Sequence, residues 1–271
     1  MSIQELENKA RQIRRNLLTM IFESKAGHTG GDLSCADIMV ALYYDVMRIR
    51  PAELNWPGRD YFVLSKGHCA EVYYAILADL GFFPFEELKT FMGFGSRLIG
   101  HPTNKVPGIE INTGALGHGL SAGVGMALGL KMDEKPNRVY VLMGDGEQGE
   151  GSIYEAAMAA SHYGLDNLTA IIDRNYLQIA GNTEDVIKLE PLDKRWEAFG
   201  WQVQKVDGHD IKALLVALKD DALGKPRLLI AETVKGKGVA EMENEPKWHH
   251  GVPDRQIYES AMKQLEDGRP T

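Results

Sequence analysis

Short apolar, β-prone runs at 61–64, 139–143, 168–172, 201–206 and 228–231 recur along this chain, with helix-patterned segments between most of them. That alternation constrains the fold more than any other feature. Strands alternating with helices predict an α/β architecture, a mostly parallel sheet with helices on both faces. At the start, 3–22 place Leu6, Ala10, Ile13, Leu17, Met20 and Ile21 at helical spacing, an amphipathic helix. Largely apolar helices are expected at 33–47 and 69–80, and further ones at 152–163, 210–222 and 254–266. The stretch 240–255 reads as a long surface loop, and 267–271 as a natural tail. With no internal repeat and no low-complexity linker, one domain over 1–271 is the simplest division.

Composition removes several function classes. A net charge of −8 argues against general binding to nucleic acid or an anionic membrane. With 44% apolar and 25% charged residues the chain is ordinary globular material. Cys35 and Cys69 cannot make a disulfide framework, no Cys/His zinc spacing exists, and both read as small buried residues. The N-terminus lacks the basic and apolar regions of a signal peptide, and no run reaches the roughly 18 uninterrupted apolar residues of a spanning helix. A soluble, cytoplasmic protein is expected.

In open α/β sheets ligands sit outside the carboxyl ends of the strands. The run 139–143 leads into Gly144-Asp145-Gly146-Glu147, and 168–172 into Asp173-Arg174-Asn175-Tyr176-Leu177. The run 228–231 leads into Glu232-Thr233-Val234-Lys235-Gly236-Lys237-Gly238. An aspartate between glycines offers a hard oxygen ligand and free backbone N–H groups for phosphate. Asn175 could add an amide oxygen and a nearby carbonyl a third, the ligand chemistry of Mg²⁺ held mainly by substrate phosphates. Taken alone, Gly-Asp-Gly is also an ordinary turn. The 30-residue spacing from Asp145 to Asn175, each just past a strand, is what favours the ligand reading.

That combination resembles the thiamine-diphosphate motif, and the remaining text resembles the N-terminal half of transketolases. The matching segments are Ala26-Gly27-His28-Thr29-Gly30-Gly31, Leu64-Ser65-Lys66-Gly67-His68, Gly100-His101-Pro102, Thr113-Gly114-Ala115-Leu116-Gly117-His118-Gly119, Asp207-Gly208-His209-Asp210 and His250-Gly251, in order. The resemblance implies a thiamine-diphosphate-binding fold with thiamine diphosphate and Mg²⁺ as cofactors, Ca²⁺ or Mn²⁺ being able to substitute. It assigns Asp145, Asn175 and the Leu177 carbonyl to the metal. Gly144, Gly146, Glu147, His68 and His250 go to the diphosphate region, Gly114 and Leu116 to the aminopyrimidine side, and Ile179 to the thiazolium. His28, His101 and His250 would surround the donor carbons, where imidazoles can exchange protons near neutral pH. Glu150 resembles an interface carboxylate that couples paired active sites, or it simply starts the following helix.

Alternatives stay open at several positions. His249 competes with its neighbour His250. His118, His162 and His209 read as packing residues, Lys235 and Lys237 as phosphate ligands or solvated loop lysines, and 114–129 in part as a close-packed helix. Ala115 and Gln148-Gly149 depart from the usual family pattern.

A full-length transketolase is about twice this long, and its second half supplies the glutamate facing the pyrimidine and most sugar-phosphate contacts. The resemblance therefore implies one subunit of a split enzyme, working with a C-terminal transketolase subunit in an α2β2 heterotetramer. The expected reaction moves a two-carbon unit from a ketose to an aldose phosphate, from the usual pentose and hexose phosphates or from an unusual ketose. The remaining alternatives are another thiamine-diphosphate enzyme, such as a dehydrogenase α subunit or deoxyxylulose-phosphate synthase, and a non-catalytic diphosphate-binding subunit.

Overall fold

Ser2 and Glu5 open the first helix reciprocally. The Glu5 N–H donates to Ser2 Oγ at 3.2 Å, and the Ser2 N–H to Glu5 Oε2 at 2.7 Å. The computed structural model describes residues 1–220 and 224–267. In chain order it contains α1 (Ile3–Ser24), α2 (Thr29–Ala41), β1 (Tyr61–Leu64), α3 (Ala70–Asp79), α4 (Gly119–Met132), β2 (Val139–Gly144), α5 (Gly151–His162) and β3 (Leu168–Arg174). There follow β4 (Leu177–Gln178), β5 (Gly181–Asn182), α6 (Thr183–Val186), α7 (Leu192–Ala198), β6 (Gln202–Asp207), α8 (Ile211–Lys219), β7 (Arg227–Glu232) and α9 (Arg255–Asp267). The end of the helix expected at 210–222 and the tail beyond residue 267 lie outside the described residues.

The sheet has five strands in the order β1-β2-β3-β7-β6, and every pair is parallel. Its middle strands are apolar on both faces because both faces are covered. Tyr140, Leu142, Ile171, Leu229 and Ala231 pack toward α1, α2, α3 and α8. Val139, Val141, Met143, Ala170, Ile172 and Ile230 pack toward α4, α5 and α7. Register places Gly144 beside Asp173, and Asp173 beside Ala231, so the segments leaving β2, β3 and β7 emerge on one line.

From that line the chain diverges. β1 leads to α3 on one face and β2 to α5 on the other; β3 leads to α7 and β7 to α9, again on opposite faces. Divergence between neighbouring strands opens crevices at their carboxyl ends.

The five expected strands are all present, each within two residues of its predicted ends. The helix expected at 33–47 starts earlier, at Thr29, and closes in a π-helical turn, Leu42–Val46. The stretch 240–255, expected at the surface, is partly core: Met242, Trp248 and Pro253 are buried. It is sewn to the start of α2, where Thr29 Oγ1 donates to the Gly251 carbonyl at 2.6 Å. No helix among the described residues is long and apolar enough to cross a membrane.

Glycine at position 123 lets α4 lie directly on the sheet. A Cβ there would collide with Val141 Cγ2 and touch Leu168 and Val139 at 3.7 Å. Gly123→Val should therefore lower stability by about 1–3 kcal/mol, the cost of overpacking. Urea unfolding should show the loss in the midpoint with an unchanged m-value.

Candidate active site

The carboxyl edge is organised around one buried charge. Asp173, at the end of β3, is fully buried and pairs with Lys66, which leaves β1. Ser34 Oγ and Thr233 Oγ1 also donate to its carboxylate, as does Asn175 Nδ2 at 3.2 Å. Lys66 Nζ further donates to the Gly31 carbonyl at 3.3 Å. Burial opposes both charges, but the pairing outweighs it. The ammonium is held well above its usual range and the carboxylate below its own.

Beside this pair lies a cavity of about 420 Å³ lined by His28, Lys66, His68, Gly114, Leu116, Asp145, Glu147, Glu150, Asn175, Leu177, Ile179, Lys235 and His249, among others. Asp145 accepts from the Gly146 N–H at 2.7 Å and the Tyr176 N–H at 2.6 Å, with Arg174 Nη1 at 3.2 Å. Burial and then the Asp173 charge raise its pKa. Asn175 Oδ1 accepts from the Leu177 N–H at 3.1 Å, and the Leu177 carbonyl accepts from Lys235 Nζ at 3.1 Å. The wall thus presents a carboxylate, an amide oxygen and a carbonyl, with a cation already facing the carbonyl. Such a set suits a hard cation and its attached phosphates. Among the described residues no three His, Cys, Asp or Glu side chains converge as a metal cluster.

A second cavity, about 410 Å³, adjoins the first through His28 and is lined by Gly27, Glu71, Phe91, Met92, Ile99, His101 and His250, among others. The His28 ring lies 4.7 Å from His250, 5.5 Å from His68 and 5.9 Å from His101, centroid to centroid. Its Nδ1 is buried and has no hydrogen-bond partner among the described residues. Burial, followed by the neighbouring imidazoles and Lys235, lowers the His28 pKa to about 4. Burial and Lys235 lower His249 to about 3; burial lowers His101, and burial with Lys66 lowers His68. These four rings are neutral at physiological pH and can both donate and accept hydrogen bonds.

Every site residue assigned from the sequence lines one of the two cavities. Their division differs in one respect. His250 stands with His28 and His101 in the second cavity, whereas His249 lines the first and accepts from Lys235 Nζ at 3.0 Å. Glu147 reaches the first cavity, but both of its oxygens accept from the chain itself: Ser65 Oγ, the Gly117 N–H at 2.9 Å and the Gly144 N–H at 3.0 Å. Glu150 precedes α5 without capping it, and its side chain is exposed. Ile179 is 77% exposed on the tip between β4 and β5. His118, His162 and His209 line neither cavity. His209 bridges Asp37, 2.7 Å from its Nδ1, and the Val234 N–H, which donates to its Nε2 at 2.8 Å. Cys35 and Cys69 are buried free thiols.

Sequence reasoning assigned no role to Lys66, Asp173 or Arg174, and Lys235 proves buried rather than solvated. Arg174 Nη1 donates to Thr183 Oγ1 at 2.7 Å, and Nη2 to Glu184 and Glu190 at 3.1 Å, fixing the segment after β5 against Asp145. Position was the available signal: each of these residues lies in the segment that leaves the carboxyl end of a predicted strand.

A parallel sheet with a carboxylate, an amide oxygen, a carbonyl and buried lysines at its carboxyl edge has the architecture of nucleotide- and diphosphate-binding α/β proteins. Residues 6–264 match the family model of the transketolase thiamine diphosphate binding domain. The chain is 52% identical to an apulose-4-phosphate transketolase subunit of Phocaeicola vulgatus, over 98% of this chain and 96% of that one. It is 42% identical to the 6-deoxy-6-sulfo-D-fructose transketolase subunit SqwG of a Clostridium species, over 97% and 96%. The crystal structure of Campylobacter jejuni transketolase superposes with a TM-score of 0.93 at 33% identity, covering 98% of this chain and 43% of that one. The chain belongs to the transketolase family, enzymes that transfer a ketol unit with thiamine diphosphate, and it corresponds to the N-terminal subunit of a divided member.

Removing Lys66 would leave Asp173 buried without a counter-ion. Lys66→Met should cost about 3–5 kcal/mol in unfolding free energy, and adding Asp173→Asn should recover part of it. A urea series on both variants checks the order.

Proposed function

We propose that this single diphosphate-binding domain holds the diphosphate and divalent-metal end of thiamine diphosphate in its first cavity and the reacting sugar carbons at its second. The observation that carries this reading is the junction of the two cavities at His28: a phosphate-and-cation wall on one side, a cluster of imidazoles on the other. Asp145, the Asn175 amide oxygen and the Leu177 carbonyl would hold Mg²⁺, or Ca²⁺ or Mn²⁺ in its place. Lys235 and His68 would face the diphosphate, with His249 as a further donor from the same wall. Gly114 and Leu116 would bound the aminopyrimidine side and Ile179 the thiazolium. When bound, the cofactor supplies the electron sink that lets a carbon–carbon bond beside a carbonyl break.

This chain's own part is orientation and proton handling. His28, His101 and His250 can hydrogen-bond the hydroxyls of a ketose donor and move protons between them and the reacting carbons. Burial keeps His28, at the centre of the three, uncharged and free to act in either direction.

The partner is a C-terminal transketolase subunit in a cytoplasmic α2β2 assembly, with Glu150 near the contact between paired sites. Relatives of the same length that are themselves named as transketolase subunits support this, as does the 43% share of a full-length transketolase that the chain spans. Exposed Ile179, Val186 and Ile187 give the cavity mouth an apolar rim that a second chain would cover. Two relatives named for apulose 4-phosphate, at 52% and 46% identity, make a phosphorylated ketose the first donor to try.

The purified chain should transfer no ketol unit alone and should gain the activity when its partner is added. Turnover by the single chain, shown free of partner, refutes the divided-site reading. Transfer of an acyl rather than a ketol unit would point to another thiamine-diphosphate enzyme.

Within the complex, two variants should separate the cavities. Asp145→Ala should abolish Mg²⁺-dependent thiamine-diphosphate binding in calorimetry. His101→Ala should leave that binding nearly unchanged while lowering kcat/KM for the ketose by roughly ten- to a thousand-fold. Full turnover of His101→Ala at saturating cofactor would move His101 to the cofactor side.

A further inference from the structure

Asp32 lies in the first turn of α2 and Glu71 in the first turn of α3, and both side chains are fully buried. Each carboxyl spends one oxygen on the backbone. Asp32 Oδ1 accepts from the Val72 N–H at 2.7 Å, and Glu71 Oε1 from the His28 N–H at 3.0 Å. The remaining oxygens, Asp32 Oδ2 and Glu71 Oε2, are buried and receive no other donor among the described residues. The two carboxyls are neighbours, and the charge of Glu71 raises the proton affinity of Asp32. Two bare anions side by side and out of water would repel strongly, and a proton held between the unpartnered oxygens removes that repulsion.

The chain is fitted to this pair. A Cβ on Gly27 would lie 2.7 Å from Glu71 Oε1, so only glycine lets the backbone descend far enough for His28 to reach the carboxyl. Glu71 also lines the histidine cavity, whereas Asp32 lines neither cavity. The first turns of α2 and α3 both favour the negative charge that remains on the pair.

We propose that Asp32 and Glu71 share a proton beneath the histidine cavity and that Glu71, through the His28 N–H, is a positioning residue for the ketose donor. The inference rests on the reading of that cavity given above.

The energetics agree with the geometry. Burial raises Glu71 to about 7, and burial together with the Glu71 charge raises Asp32 well above the usual carboxylate range. The other ionisable groups facing the pair are Lys66 and Cys69 ahead of α3, Tyr74 on α3 and His28 ahead of α2. The sign of the pH effect follows. An unfolded glutamate releases its proton near 4.5, whereas folded Glu71 keeps its proton to about 7. The native state thus binds more protons across that interval, and stability falls as pH rises through it.

The test uses the complex with its partner chain. In Glu71→Gln the amide nitrogen replaces the shared proton and the amide oxygen still accepts from His28; Glu71→Ala removes both. The infrared difference between wild type and Glu71→Gln near neutral pH should contain the carbonyl stretch of a protonated carboxyl. Wild type should lose stability relative to Glu71→Gln as pH goes from about 5 to about 7.5. Glu71→Ala should lower kcat/KM for the ketose about tenfold or more, with thiamine-diphosphate affinity unchanged, and Glu71→Gln should restore most of that loss. Absence of the protonated-carboxyl band overturns the shared proton, and undiminished turnover in Glu71→Ala overturns the positioning role. If the wild-type complex transfers no ketol unit, the functional reading fails, and the band and the stability shift still decide on the pair.

Discussion

The pairing of Lys66 with Asp173 is the contact on which the rest of the carboxyl edge depends. It joins the exits of β1 and β3 across intervening β2. Through Ser34, the Gly31 carbonyl and Thr233 it also fixes the first turns of α2 and the segment after β7. A buried ion pair adds little stability over an apolar contact, since desolvation cancels most of the attraction. Its value here lies in placement. A charge with several obligatory partners accepts only one arrangement of the loops that provide them, and those same loops carry His28, His68, Asn175 and Lys235.

Once these loops are fixed, the histidines meet in a field set by cations. Lys66 is neutralised by Asp173, but Lys235 has no carboxylate within salt-bridge distance among the described residues, and burial lowers its own pKa. Burial keeps the nearby imidazoles neutral, and for His28, His68 and His249 the lysines add to it, because protonation would add charge beside an existing cation. An anionic ligand reverses the sign of that argument. A diphosphate beside Lys235 and His68 would raise the local proton affinity, so the anion's arrival and the readiness of the nearby rings to take protons are coupled.

How much of this was legible in the sequence differs from residue to residue. Strands β2 and β3 were readable because both faces are buried and their residues are apolar nearly throughout, as at Val139 to Met143. The polar residues just past them, Asp145 and Asn175, were readable because strand ends are where ligands bind. The hairpin of β4 and β5 was not, since two strands of two residues each have no period to detect. Nor was α7, only seven residues long and held mainly by Leu192 and Trp196. At Lys235 the sequence left two readings open, a phosphate ligand or a solvated loop lysine. A lysine among glycines looks solvated, and only the fold of 240–255 back over α2 buries it. The choice between His249 and His250 also turns on that loop, whose path rests on Trp248 and Met242 entering the core.

The glycines that mark the family pattern act by what they let approach. A Cβ on Gly67 would stand 2.6 Å from the Gly114 nitrogen, and one on Gly30 would stand 2.9 Å from the Trp248 carbonyl oxygen. Backbone meets backbone at both points, and neither can yield as a flexible side chain would. Four segments distant in sequence are thereby brought together in two close pairs, and His28, His68, Leu116 and His249, which these segments carry, face the cavities. Convergence of the imidazoles is thus a packing consequence before it is a chemical one. The glycines bring the loops together, the Lys66–Asp173 pair orients them, and the histidines occupy the space that remains.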